Sequence, residues 1–171
     1  IARYQRKSDV SLRLLTADRE KTLELISTGR AQLGVTVLES VPEDMKAELL
    51  VEVPATLVVP GDHRLARRKS ISVADLDGAE LIVPTTDKPH RAAISRVLDA
   101  HGVSWKVAIE TSGWELTISF VKLGLGMAIV NGCCRIPKGL KAIPIKEFPS
   151  TKYYLVSKRN IGLSASQQLL A

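Results

Sequence analysis

Three histidines, two adjacent cysteines and a few placed carboxylates are the groups in this chain whose types could do metal or acid and base chemistry. His63, His90 and His101 have no i, i+4 partner and no flanking carboxylate at ligand spacing, so they form no metal motif. Cys133 and Cys134 are neighbours, a spacing that suits neither a disulfide framework nor a zinc site and reads as two reduced thiols. Glu110 and Glu115 are five apart on an expected strand and an expected helix, and nothing in that spacing sets them face to face as acid and base. Neither G-x-S-x-G nor H-E-x-x-H occurs. Two cations stand out instead: Arg19 and Arg91 fall near expected helix N-termini, where positive charge works against the macrodipole and suits the reading of a ligand's charge. The residues argue for binding rather than catalysis, with no metal and no cofactor.

The stretch that must position such groups is Phe120 to Gly132, FVKLGLGMAIVNG, where an apolar helix end passes through Gly124 and Gly126 into an apolar strand. Gly124 fits a helix C′ residue, Gly126 allows close backbone packing, and Met127 to Val130 reads as a parallel strand buried on both faces. A dinucleotide loop is excluded by order, because its glycines follow a strand and open a helix. Upstream, Val10 to Leu15 alternates as a strand, Asp18 caps a helix to Thr28 with Leu23, Leu25 and Ile26 inward and Gly29 at C′, and Leu33 to Leu38 is the next strand. Residues 1 to 8 read as the tail of an amphipathic helix. Leu49 to Val59, with Pro54 inside it, reads as one long, bent, edge-like crossing strand.

Beyond it, Ile71 to Leu76 predicts a short helical turn, Leu81 to Val83 a buried strand stopped by Pro84, and Pro89 the first turn of a helix ending at Gly102. Ile94, Val97, Leu98 and His101 share a face of that helix. Trp105 to Ile109 is a strand, and Ser112-Gly113-Trp114-Glu115 has the form of a capping box opening the helix that reaches the glycine joint. Helix N-termini at Lys88 and Gly113 would then face the same strand ends, a ready site for an anion. Leu140 to Ile145 and Tyr153 to Val156 complete the strands, and Ser164 to Ala171 reads as a last helix.

Composition bounds the alternatives. A chain of 171 residues, 45% hydrophobic and 25% charged, has the make-up of a soluble protein of one domain or two small lobes. No window approaches the roughly 18 apolar residues of a membrane helix, and the first residues have no apolar signal-peptide core, so no membrane is expected and the cytoplasm is the expected location. The net charge of +6 is scattered; Arg64 with Arg67-Arg68-Lys69 is its one dense run and reads as a solvated loop. At 4% aromatic residues there is no stacking platform for single-stranded nucleic acid.

Four motifs then occur in order: Gly29-Arg30 before Leu33-Gly34-Val35, His63-Arg64-Leu65-Ala66, Ile71-Ser72-x-x-Asp75-Leu76, and Val121-Lys122-Leu123-Gly124-Leu125-Gly126-Met127-Ala128. Together they resemble a LysR-type transcriptional regulator over essentially the whole chain, within that family's effector-binding part. The resemblance implies an α/β, two-lobed type 2 periplasmic-binding-protein-like fold with mixed, mostly parallel sheets and a small-molecule cleft between the lobes. Lobe I would be 1–53 and 143–171, and lobe II 54–142. It implies a ligand-sensing domain and not an enzyme, binding a small anionic effector, meeting DNA only through an absent N-terminal winged helix-turn-helix, and forming a homodimer or homotetramer. The ligand-binding residues it implies are Arg19, Thr36, Thr85, Thr86, His90, Arg91, Ser112 and Trp114, with Trp114 buried in the core or on the cleft wall. Departures from the family pattern are Gln32, Arg64, Asn131 and Arg19, the last where a small hydroxyl residue is common. A solute-binding protein of a transport system is the alternative on the same scaffold. The resemblance also implies that the first strand of lobe I is missing, so that Val10 to Leu15 and Leu33 to Leu38 would flank an empty strand position.

Overall fold

Asp18 starts the first helix: its backbone is extended, its Oδ1 accepts the Lys21 amide at 2.9 Å, and α1 (Arg19–Ser27) follows. Thr28 caps the other end, with Gly29 just beyond it. The computed structural model describes residues 11–159. They fall into two compact units, one within Ile1–Glu52 and Lys152–Ala171 and the other Val53–Thr151. The helices expected at residues 1 to 8 and from Ser164 lie outside the described residues.

In the first unit, β1 (Gly34–Val37), β2 (Met45–Val53) and β8 (Thr151–Lys158) form one sheet in the order β1-β8-β2. β1 and β8 are antiparallel, with Gly34 opposite Val156 and Val37 opposite Tyr153. Ile26 of α1 packs with Met45 and Val156, and Leu23, Leu38 and Tyr154 close over them. The strand expected over Val10 to Leu15 does not form across its described part: among the described residues 11–15 pair with no strand, and Leu14 is 70% exposed. Its alternation has no ladder beside it to make a pleat worth adopting. The expected pair of strands flanking an empty position is therefore not seen.

The second unit is built on β3 (Ala55–Pro60). Pro54 divides the single crossing strand expected from the sequence into β2 and β3, and the edge-like reading fails for β3. It lies centrally, in the order β6-β3-β7, with β6 (Ala128–Asn131) and β7 (Leu140–Pro144) antiparallel to it. Pro54 stands outside both ladders, where its missing amide is not needed, and its carbonyl accepts the Gly132 amide at 2.8 Å. β4 (Ala79–Val83) and β5 (Trp105–Glu110) pair in parallel, joined by α2 (Pro89–Ala100). A parallel bridge from Leu81 to Met127 sets the start of β6 against β4. The long antiparallel ladders of β3 and β8 make the sheets more antiparallel than the mostly parallel arrangement expected.

Alternation sorts the core onto two faces. Leu57, Val59, Leu81, Val83 and Ile129 meet Ile94 and Leu98 of α2, while Val58, Ile82, Ala128 and Val130 meet Ile118 and Val121 of α3 (Trp114–Lys122). Both faces being covered is why Leu81 to Val83 and Met127 to Val130 are continuous apolar runs. At the joint between α3 and β6, Gly126 adopts φ 147°, and a Cβ there would stand 3.1 Å from the Glu80 carbonyl and from Ile82 Cγ1. Ile143, Ile145 and Phe148 belong to the core of this unit, which runs to Thr151.

Candidate functional site

β4 and β5 end side by side at Val83 and Glu110, and the Thr111 amide donates to the Val83 carbonyl at 3.0 Å. The loop carrying Thr85 and Thr86 and the loop carrying Ser112 therefore leave one sheet edge together. Each leads into a helix. α2 opens with Pro89 after the N-cap Lys88, and α3 opens with Trp114 after the N-cap Gly113. Neither N-cap residue makes a side-chain capping hydrogen bond. That leaves the first-turn amides of α3 turned toward that edge, and of α2 the His90 amide, since Pro89 has none and the Arg91 amide donates to the Lys88 carbonyl at 3.0 Å.

The capping box expected from Ser112 and Glu115 does not form. Gly113, at φ 87°, is the residue that turns the chain into α3, which leaves Ser112 exposed one position outside the helix. Trp114, expected to be buried, is 42% exposed on the first turn. Thr86 is exposed and Thr85 half-buried. The Thr85 hydroxyl, and after it Lys88, hold the Asp87 carboxyl below the ordinary carboxylate range, and Lys88 Nζ lies 2.9 Å from Asp87 Oδ2. This edge thus carries one carboxylate already answered by a cation.

Two of the expected residues face elsewhere. His90 Nε2 donates to the Ile129 carbonyl at 2.8 Å, tying the ring to the sheet backbone. Arg91 reaches one turn down α2 to the Ser95 hydroxyl, and its guanidinium carbon lies 4.7 Å from the centre of the Trp105 ring. Trp105 opens β5, so this guanidinium is drawn toward the start of the strand and away from its end. The buried Arg91 Nε has no hydrogen-bond partner among the described residues. In the first unit, Arg19 Nη1 is 2.9 Å from Glu39 Oε1, and Thr36 is buried in β1 opposite Tyr154. The structure brings together Thr85, Thr86, Ser112 and Trp114 on one edge. Thr111 leaves the same edge and was not singled out from the sequence, whereas the helix N-terminus expected at Gly113 is where α3 begins.

Among the described residues no group of three or more His, Cys, Asp or Glu could hold a metal ion, and no helix is long and apolar enough to cross a membrane. An open cavity of about 430 Å³, lined by Pro60, Asp62, Lys122, Gly124 and Gly139 among others, lies at the opposite end of α3 from the Trp114 turn.

This arrangement has known counterparts. The transcriptional activator protein LysR of Escherichia coli (strain K12) is 24% identical over 157 residues, which are 92% of this chain and 50% of that protein. The regulatory domain of CcmR from Synechocystis PCC6803, solved in complex with 2-PG, matches with a TM-score of 0.76 at 19% identity, covering 99% of this chain and 84% of that one. The BenM effector binding domain, solved with its effector benzoate, matches with a TM-score of 0.72 at 21% identity, covering 88% and 70%. The fold is that of these effector-binding domains, an α/β fold of the type 2 periplasmic-binding-protein class. The chain spans about half the length of the curated relatives it matches. The model of the LysR substrate binding domain family matches residues 1–171, and the chain belongs to that family.

Proposed function

We propose that this chain is the ligand-sensing part of a bacterial LysR-type transcriptional regulator, and that its ligand is a small anion. The observation that carries the anion is the pair of helix N-termini without side-chain caps, those of α2 and α3, at the ends of two adjacent parallel strands. Thr86 and Ser112 add exposed hydroxyl donors beside them, and Trp114 adds a flat apolar surface for the body of the ligand. The benzoate of BenM, a carboxylate on an apolar ring, is the kind of molecule such a surface suits. In this reading the regulator binds DNA through an N-terminal winged helix-turn-helix outside this chain, works in the cytoplasm as a homodimer or homotetramer, and catalyses no reaction. Its relatives being transcriptional regulators leaves the solute-binding alternative without support.

Calorimetry of the full chain with benzoate, inorganic phosphate and the neutral benzamide tests the proposal. At least one anion should bind, with the neutral molecule weaker by roughly tenfold or more, as loss of a charge-assisted hydrogen bond entails. Thr86→Ala with Ser112→Ala should weaken the anion, and Arg19→Ala, Thr36→Ala, Thr85→Ala, His90→Ala, Arg91→Ala and Trp114→Ala go through the same titration. Benzamide binding to the wild type as tightly as benzoate or phosphate overturns the anionic reading.

A further inference from the structure

We propose that Cys133 and Cys134 form a chelating dithiol that takes one trivalent organoarsenical, an aryl or alkyl arsenoxide, across its two sulfurs. The pair follows β6 on a turn fixed at two backbone points. The Gly132 amide donates to the Pro54 carbonyl at 2.8 Å and the Cys134 amide to the Asn131 carbonyl at 3.0 Å. Cys133 is exposed, so the site is open to solvent, and Cys134 is half-buried against the cluster that holds Val58, Val130 and Leu140.

Geometry selects the ligand. Adjacent Cα atoms across a trans peptide are about 3.8 Å apart, below the roughly 4.4 to 6.8 Å that a disulfide spans without strain. A single large atom set between the sulfurs avoids that direct bond. The donor count selects further. Zinc asks for about four nitrogen or sulfur ligands, and among the described residues no cluster of three or more candidate ligands exists. Arsenic(III) that already carries one carbon group needs only two sulfurs.

The thiol chemistry agrees. Burial, helped by Cys133 and by the Glu115 charge, pushes the Cys134 thiol up to about 11, so it stays protonated near neutral pH. A protonated thiol is slow in disulfide exchange and a poor ligand for a metal cation, which requires thiolate. Condensation with an arsenoxide uses the protons: two S–H bonds and the arsenic–oxygen bond break, two As–S bonds form, and one water leaves. Arsenic and sulfur keep their oxidation states, so no oxidant or reductant is needed.

Intact-mass measurement of the full chain with phenylarsine oxide in excess glutathione tests this, because the chain has only these 2 cysteines. The expected product is one arsenic per chain with loss of one water, resistant to glutathione, removed by ethanedithiol, and absent from both Cys133→Ser and Cys134→Ser. Far-UV circular dichroism checks that the variants fold, and the exposed Cys133 carries the test should Cys134→Ser be unstable. Absence of the adduct from wild type whose Cys133 is open to alkylation, its stripping by glutathione, or its survival in Cys133→Ser overturns the proposal.

Discussion

Asp75 holds both ends of a short bracket in the second unit. Its Oδ2 accepts the Ser72 amide at 2.9 Å and the Ser72 hydroxyl at 3.1 Å, and Arg68 Nη1 lies 3.0 Å from its Oδ1. These contacts, the Ser72 amide first, hold the Asp75 carboxyl below its ordinary 3.8. A carboxyl whose pKa is depressed by folding contributes stability that is present above its unfolded value and is lost as pH falls through the folded one. Asp75→Asn should therefore lower stability at neutral pH by about 1 kcal/mol, the usual worth of a lost cap. The gap from wild type should close as pH drops below 3.8. Urea midpoints at neutral and acid pH check this, and a gap that stays constant would show that the carboxylate charge is not what matters. At the same scale, Arg19 and Arg91 show what the sequence leaves hidden. Both stand at helix N-termini as read, yet each has an interaction its own helix does not reveal: Glu39 for Arg19 and the Trp105 ring for Arg91. Such partners lie on later elements, and no local spacing encodes them.

Elements whose ends are set by their own residues were legible. Asp18 before α1, Pro89 at the start of α2 and Gly124 after α3 each do locally what their chemistry suggests, and the boundaries fall close to where the sequence puts them. Elements that depend on neighbours were not. The alternation of Val10 to Leu15 lacks a ladder across 11–15. The apolar run after Pro54 becomes the central β3 because β6 and β7, far along the chain, flank it. The edge from which Thr85, Thr86 and Ser112 leave was legible, since it follows from parallel strands and their crossover helix, but Gly113 displaced the expected cap. The glycine joint provides the clearest mutational test at this scale. A valine at Gly126 would need a φ near 147° and would press on the Glu80 carbonyl, Ile82 and Ala108. Gly126→Val should destabilise the fold by about 1 to 3 kcal/mol, as overpacking does. An unchanged melting temperature would mean that β4 and β6 can separate to admit the side chain.

Over the whole molecule, the net charge of +6 invites a nucleic-acid reading that its distribution does not support. Cations are interleaved with carboxylates: Arg19 meets Glu39, Lys21 meets Glu24, Lys46 meets Glu48, Arg68 meets Asp75 and Lys88 meets Asp87. Even in the dense run at Arg64, two cations are engaged on the surface, since Arg64 Nη2 donates to the Asp75 carbonyl at 3.4 Å and Arg68 to its carboxylate. Specific recognition needs side chains set against base edges by a ladder of phosphate contacts, and scattered cations, several of them paired with carboxylates, give neither. They give attraction through counterion release, which is blind to sequence and weakens linearly with the logarithm of salt concentration. A small anion held by fixed helix-terminal amides releases few counterions, so its affinity should fall much less over the same range. The expectation is that this chain, titrated by fluorescence anisotropy against duplexes of unrelated sequence, binds them alike and weakly. That binding should vanish on going from about 50 to about 200 mM salt, while the effector titration shifts little. Preference for one duplex that persists at the higher salt would place DNA recognition within this chain and overturn its assignment as a sensing part alone.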